Sequence, residues 1–143
     1  MFVLKDLEKA KLQLRDGGYT CVLCTDGNCM TTMLRGVKPL VYWLQRGETR
    51  KGFSAADKVV GKATAFLYCL LGAKAVYATV MSRPAMAALQ QHSVYAECDR
   101  LVENIINRAG DGICPFEEAV LNISEPENAY QAILLKMKEM GIQ

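Results

Sequence analysis

The sequence predicts one α/β domain, a three-layer α/β/α sandwich in which a mixed sheet carries helices on both faces. Three observations lead there. Apolar and β-branched runs flank Asp26-Gly27-Asn28, a strong hairpin signal, so two antiparallel strands open the sheet. After the hairpin, strand-like and helix-like segments alternate, the pattern of strand-helix-strand crossovers. One helical segment carries no charge between Lys62 and Lys74, so most of its surface must be buried. With 143 residues, 51% of them hydrophobic, the chain can build a single sizeable core, and residues 1–143 read as one domain.

The elements follow in order. Val3, Leu4, Leu7, Ala10 and Leu14 recur near a period of 3.6 and stop before Gly17-Gly18, an amphipathic helix over residues 3–15. The hairpin comes next. "PLVYWLQRG" is a short surface helix closed by Gly47, followed by the loop "ETRKGFS". A main helix is expected to start within residues 54–58 and to end at Leu71, before Gly72. Val59, Val60, Ala63, Phe66, Leu67, Leu70 and Leu71 fall at helical spacing. Ser54 with Asp57 would form a capping box there and place Lys62 two turns in, whereas a start at Asp57 places it nearer the first turn.

"KAVYATVMS" reads as a strand buried on both sides, and "RPAMAALQQH" as a helix with Pro84 in its first turn. "VYAECDRLV" is a further strand. The polar loop "NRAGDG" leads to Cys114-Pro115 and a short helix, "PFEEAVLN". A last helix, "EPENAYQAILLKMKEMG", is expected to use Ser124 as its N-cap.

Charges begin early in the first residues, so no secretory signal is expected there. No stretch approaches the roughly 20 apolar residues of a membrane span. Six cysteines, at 21, 24, 29, 69, 98 and 114, are expected to be free thiols in a reducing cytoplasm. On a strand, Cys21 and Cys24 point to opposite faces and cannot share a metal or a bond. Seventeen basic against fifteen acidic side chains give a net charge of +2, too little bias to suggest a nucleic-acid partner.

This element order resembles the cytidine deaminase-like fold. Enzymes of that group place His-x-Glu at the start of the buried helix after the hairpin, and Pro-Cys-x-x-Cys at the start of the helix after the next strand. The histidine and cysteines hold zinc and the glutamate moves protons. The matching segments here are Gly61-Lys62-Ala63 and Pro84-Ala85-Met86-Ala87-Ala88, where only the proline is retained. The whole chain, "NRAGDGICPFEEAV" included, resembles a small prokaryotic family of uncharacterised proteins placed in that superfamily without its zinc motif. The resemblance implies a fold but neither zinc nor any other cofactor, and no catalytic residue carries over.

Gly61-Lys62-x-Thr64 is not a P-loop, because position 56 is alanine where a glycine is needed and Ala63 stands where Ser/Thr would follow the lysine. Lys62 either carries its ammonium out to solvent or meets an anion in the vacated zinc pocket. Ser82 and Arg83, at a strand end and a helix start, either hold an anion or are a plain N-cap and a solvent-exposed side chain. Cys114 precedes a proline-led helix, so it is either a reactive thiol or a structural one. Asn107, Arg108 and Asp111 could form a cleft wall. His92 closes a short helix, and Tyr42 with Trp43 could pack on the sheet or form an interface.

Two functions are carried forward. The first is a non-zinc domain binding a small anionic molecule, such as a nucleotide or sugar phosphate, through Lys62, Ser82 and Arg83. The second is a cysteine-dependent enzyme or sulfur carrier using Cys114, since formate dehydrogenase accessory sulfurtransferases are similar in fold and also use cysteine. A homodimer, as among the oligomeric deaminases, is the expected assembly.

Overall fold

Asp26 and Gly27 take φ of 50° and 84°. Two left-handed residues in succession are what a two-residue hairpin requires, and they join β1 (Cys21–Thr25) to β2 (Asn28–Thr32). Helix α1 (Lys5–Gly17) holds this turn. The Asp6 carboxylate accepts from the backbone N–H groups of Asp26 and Gly27, both at 3.0 Å, and Lys9 Nζ donates to the Gly27 carbonyl at 2.6 Å. The structure is a computed structural model and describes residues 5–47 and 52–142. Val3 and Leu4 of the expected first helix, and residues 48–51 of the following loop, lie outside that range. Helix α2 (Lys38–Arg46) ends as expected at Gly47, in the left-handed conformation with φ 69°.

The expected start of the main helix is overturned. Residues of the sequence "SAADKVV" form a strand, β3 (Ser54–Val60), and the helix α3 (Lys62–Leu71) begins only after Gly61. The adjacent residues Ala55 and Ala56 are both fully buried, which suits an interior strand covered on both faces. Val59, Val60 and Ala63 fall at helical spacing only because a strand passes straight into a helix. Ser54 and Asp57 are therefore strand residues rather than a capping box, and Lys62 lies in the first turn of α3.

The chain continues through β4 (Ala75–Ser82), α4 (Arg83–Gln91), β5 (Tyr95–Val102), α5 (Pro115–Ala119) and α6 (Pro126–Glu139). These match expectation except at the last N-terminus, where Glu125 rather than Ser124 holds the cap position and makes no side-chain capping bond. The sheet has the order β2-β1-β3-β4-β5. β1 is antiparallel to both of its neighbours, while β3, β4 and β5 run parallel. The result is an α/β fold on a mixed five-stranded sheet.

Alternation along the strands separates two apolar clusters. Cys21, Leu23, Val76 and Ala78 face a core shared with α2, α3, α4 and α6, whereas Val22, Cys24, Ala75 and Tyr77 face α1. Helix α3 lies against α2, α4 and α6 at once, which explains the absence of charge beyond its first residue.

One cysteine expectation fails as well. Cys24 is joined to Cys29 in a disulfide, while Cys21, Cys69, Cys98 and Cys114 are free. The hairpin register causes this pairing, because it sets Cys24 directly opposite Cys29 with 4.1 Å between their Cα atoms. Among the described residues, no helix is long and apolar enough to cross a membrane.

Candidate functional site

Where β3 passes into α3 the surface opens into a cleft of about 310 Å³. This is the carboxyl end of a parallel strand, where open α/β sheets bind ligands. β3 contributes Asp57 and Lys58, the α3 start contributes Gly61 and Thr64, and the loop before α2 contributes Arg35. The α5 turn closes the far side with Cys114, Phe116 and Glu117.

Glu117 ties α5 to α3. It is buried, and its two carboxylate oxygens accept the backbone N–H groups of Lys62 at 2.9 Å and Ala63 at 3.0 Å. Those N–H groups belong to the first turn of α3, which has no partner inside the helix. The residue at the cap position, Gly61, has no side chain to serve them. A carboxylate 55 residues away in sequence does the work of a capping side chain and complements the positive end of a buried helix.

Asp57 anchors a second set of contacts. Tyr68 donates its hydroxyl to Oδ2 at 2.6 Å, and the Cys21 sulfur lies 3.0 Å from the same hydroxyl. With the Tyr68 proton directed at Asp57, the Cys21 thiol is left to donate to the Tyr68 oxygen. Burial lifts the Asp57 carboxyl from 3.8 to about 6, opposed by the hydrogen bonds from Tyr68 and from the backbone of Val59 and Lys58. Burial, reinforced by the nearby Asp57 charge, pushes the Tyr68 hydroxyl well above its ordinary value, so it remains a donor.

Of the residues singled out by sequence, Cys114 lines this cleft, half-buried, at the start of the five-residue α5. The others are engaged elsewhere. The Lys62 ammonium donates to the Leu121 carbonyl at 3.1 Å and lies over the Phe66 ring at 5.7 Å. Ser82 is fully buried and its hydroxyl accepts from Ala85 N–H at 3.1 Å, an ordinary N-cap of α4. Arg83 pairs with Glu103 at the surface. Asn107 folds its loop on itself, accepting from the N–H groups of Gly110 and Asp111 and donating to the Asp111 carboxylate at 2.9 Å. Arg108 is exposed. None of Lys62, Ser82, Arg83, Asn107, Arg108 and Asp111 lines the cleft.

His92 caps the end of α4, and Trp43 packs against the core while Tyr42 stays exposed. Sequence reading missed Arg35, Asp57, Lys58 and Glu117. Asp57 was hidden by the helical reading of β3. Glu117 stood in view beside Cys114, but nothing local connects it to residues 62 and 63. Recognising "SAADKVV" as a strand would have exposed Asp57 as an acidic residue at its midpoint, where its buried first half gives way to an exposed stretch.

No curated protein is significantly similar to this chain. Among solved structures, a DUF1893 family protein, TM1506, from Thermotoga maritima superposes with a TM-score of 0.84 at 25% identity, covering 94% of this chain and 92% of its own. The TM1506 family profile, described as a domain of unknown function, DUF1893, matches residues 9–137. That match spans the sheet, α3 and the cleft-forming α5 turn, and by it the chain belongs to the DUF1893 family.

Proposed function

We propose that this chain is a non-zinc domain of the cytidine deaminase-like type, a three-layer α/β/α sandwich, that binds a small anionic molecule in the cleft beside α3. The start of α3 at Gly61-Lys62-Ala63 supports the likeness, since that is where the related enzymes carry His-x-Glu. Glycine and alanine stand in place of the histidine and glutamate, so neither can ligate a metal or carry a proton.

The observation that carries the binding reading is the cleft itself, with the exposed cation Arg35 in its wall and exposed Lys58 at the edge it shares with the α1 face of the sheet. Glu117 already occupies the positive end of α3, so an incoming anion is held by these two side chains rather than by the helix. The volume, at the small end of ligand sites, suits a sugar phosphate or compact nucleotide.

Titration calorimetry and thermal shift with a panel of sugar phosphates and nucleotides test this. A bound member raises Tm, and Arg35→Ala and Lys58→Ala each weaken it, while Arg83→Ala leaves it unchanged. Absence of binding across the panel at millimolar concentration overturns the reading.

A second reading rests on Cys114, which lines the same cleft. As a cysteine-dependent enzyme or sulfur carrier, the protein would expose a thiol there that alkylates faster than a model thiol at neutral pH. A Cys114 no faster than the model thiol removes that reading.

A further inference from the structure

The cleft has two poles of opposite charge. Arg35 supplies the positive one, with Lys58 at its edge, where β3 also borders the α1 face of the sheet, and Asp57 supplies a carboxylate. Asp57 differs from the other acid there, Glu117, whose two oxygens are both occupied by backbone N–H groups. Asp57 Oδ2 accepts from Tyr68, while Oδ1 accepts a long 3.4 Å bond from Val59 N–H and the Lys58 backbone N–H also supports the carboxylate. An ionised carboxylate offers about four lone-pair directions, so Oδ1 retains acceptor capacity on a residue that lines the cavity. Tyr68 is fully buried and held from behind by Cys21, which fixes where the carboxylate points.

A simple anion is poorly served by such a site, because its charge would sit in one small cavity with Asp57. A molecule with a cationic N–H group at one end and an anionic group at the other satisfies both poles. We propose that the ligand of this cleft is an amine-bearing anion of the amino-sugar-phosphate or aminoalkyl-phosphate class, its ammonium received by Asp57 and its phosphate by Arg35 and Lys58. The assignment rests on the anion-binding reading above and narrows it. Tyr68 is a positioning residue that orients Asp57 without touching the ligand.

The charge on Asp57 makes this preference pH-dependent. Tyr68 and Cys21 face Asp57 from its buried side, and both are held protonated by burial. Lys58 adjoins it, and Arg35, Cys114 and Glu117 line the same cavity. With the Asp57 carboxyl near 6, lowering the pH from 7.5 to 5 neutralises the acceptor while the ligand's ammonium stays charged.

Glucosamine 6-phosphate and glucose 6-phosphate form a matched pair, differing at one position as ammonium against hydroxyl. Calorimetric titration of the wild-type protein at pH 7.5 is expected to give about tenfold tighter binding of the amino compound, the factor that ~1.4 kcal/mol represents. The preference should shrink toward unity at pH 5, vanish in Asp57→Asn and fall in Tyr68→Phe, with circular dichroism confirming that both variants fold. Equal affinity for the two compounds, with Arg35→Ala and Lys58→Ala weakening both, overturns this inference and leaves anion binding standing. If neither compound, nor any of the sugar phosphates and nucleotides, binds at millimolar concentration, both readings fall. A preference that persists unchanged in Asp57→Asn assigns the amine to another group and overturns the role of Asp57.

Discussion

Gly61 lacks a side chain where Glu117 needs the space. A Cβ built on Gly61 would lie 2.5 Å from Cδ and 2.7 Å from Oε1 of Glu117, well inside van der Waals contact. The backbone of Gly61 is extended, with φ −98°, so the requirement is for room and not for a special conformation. The same absence of a side chain leaves the first N–H groups of α3 open to the Glu117 carboxylate.

Gly61→Ala should therefore displace Glu117 and cost about 1–3 kcal/mol, the loss of charge-assisted bonds to two N–H groups that are left with no other partner. Urea denaturation measures it. In a Glu117→Ala background the same substitution should cost less than about 0.5 kcal/mol, because the clash and the lost bonds are already absent. Equal costs in the two backgrounds would show that Gly61 is needed for some other reason.

Asp57 gives stability a pH dependence opposite to that of most carboxylates. Its folded value of about 6 exceeds the ordinary 3.8, so the folded protein binds this proton more tightly than the unfolded chain does. Its contribution is fully present below pH 3.8 and declines as pH rises to about 6. Asp57→Asn, which keeps an acceptor for Tyr68 and carries no charge, should stabilise the protein by about 2 kcal/mol at pH 7.5 and much less at pH 4. Paired chemical denaturation curves of the two proteins at both pH values measure the difference.

Tyr68→Phe removes the hydroxyl that serves both Asp57 and Cys21. It leaves Oδ2 without its short bond and should destabilise by about 1–3 kcal/mol at pH 7.5. The Tyr68 bond holds the Asp57 carboxyl down, so its loss should also move the Asp57 titration upward from about 6. NMR titration of the Asp57 side-chain carbon follows it. A titration that stays put or moves down contradicts the contact.

Cys24 and Cys29 should resist alkylation in denaturant until reductant is added. Mass spectrometry is expected to find the four free thiols modified without reductant, and Cys24 and Cys29 only with it. Replacing both by serine should cost no more than about 2 kcal/mol, because the bond closes a short loop. Asp26 and Gly27 already turn that loop, and Asp6 braces it.

Arg83→Ala should change stability by less than about 0.5 kcal/mol, since both Arg83 and its partner Glu103 are exposed to water. A thermal melt suffices. A larger loss would give the pair a structural role that its exposure does not suggest.

Local chemistry made much of the fold legible. Asp26-Gly27 specified its hairpin because few residue pairs tolerate two left-handed conformations, and Gly47 and Gly72 ended helices for the same reason. Cys24 and Cys29 follow from that turn by counting outward, so their pairing is readable from the hairpin register. β3 was the failure. Its first three residues are covered on both faces and display no alternation, and its valines ran on into the apolar pattern of α3.

By itself the sequence determined an α/β fold, the hairpin, the glycine-marked C-terminal ends of α2 and α3 and the burial of α3, all set by dihedral preferences and periodicities that act within a few residues. Only the tertiary structure decided which charges meet. Glu117 reaches Lys62 and Ala63 across 55 positions, and Tyr68 reaches Asp57 because a strand and the helix after it fold back on one another. It also turned Lys62, Ser82 and Arg83 to partners outside the cleft and set Asp57 in its lining. Such contacts depend on how distant elements pack, and no local preference of the chain records them.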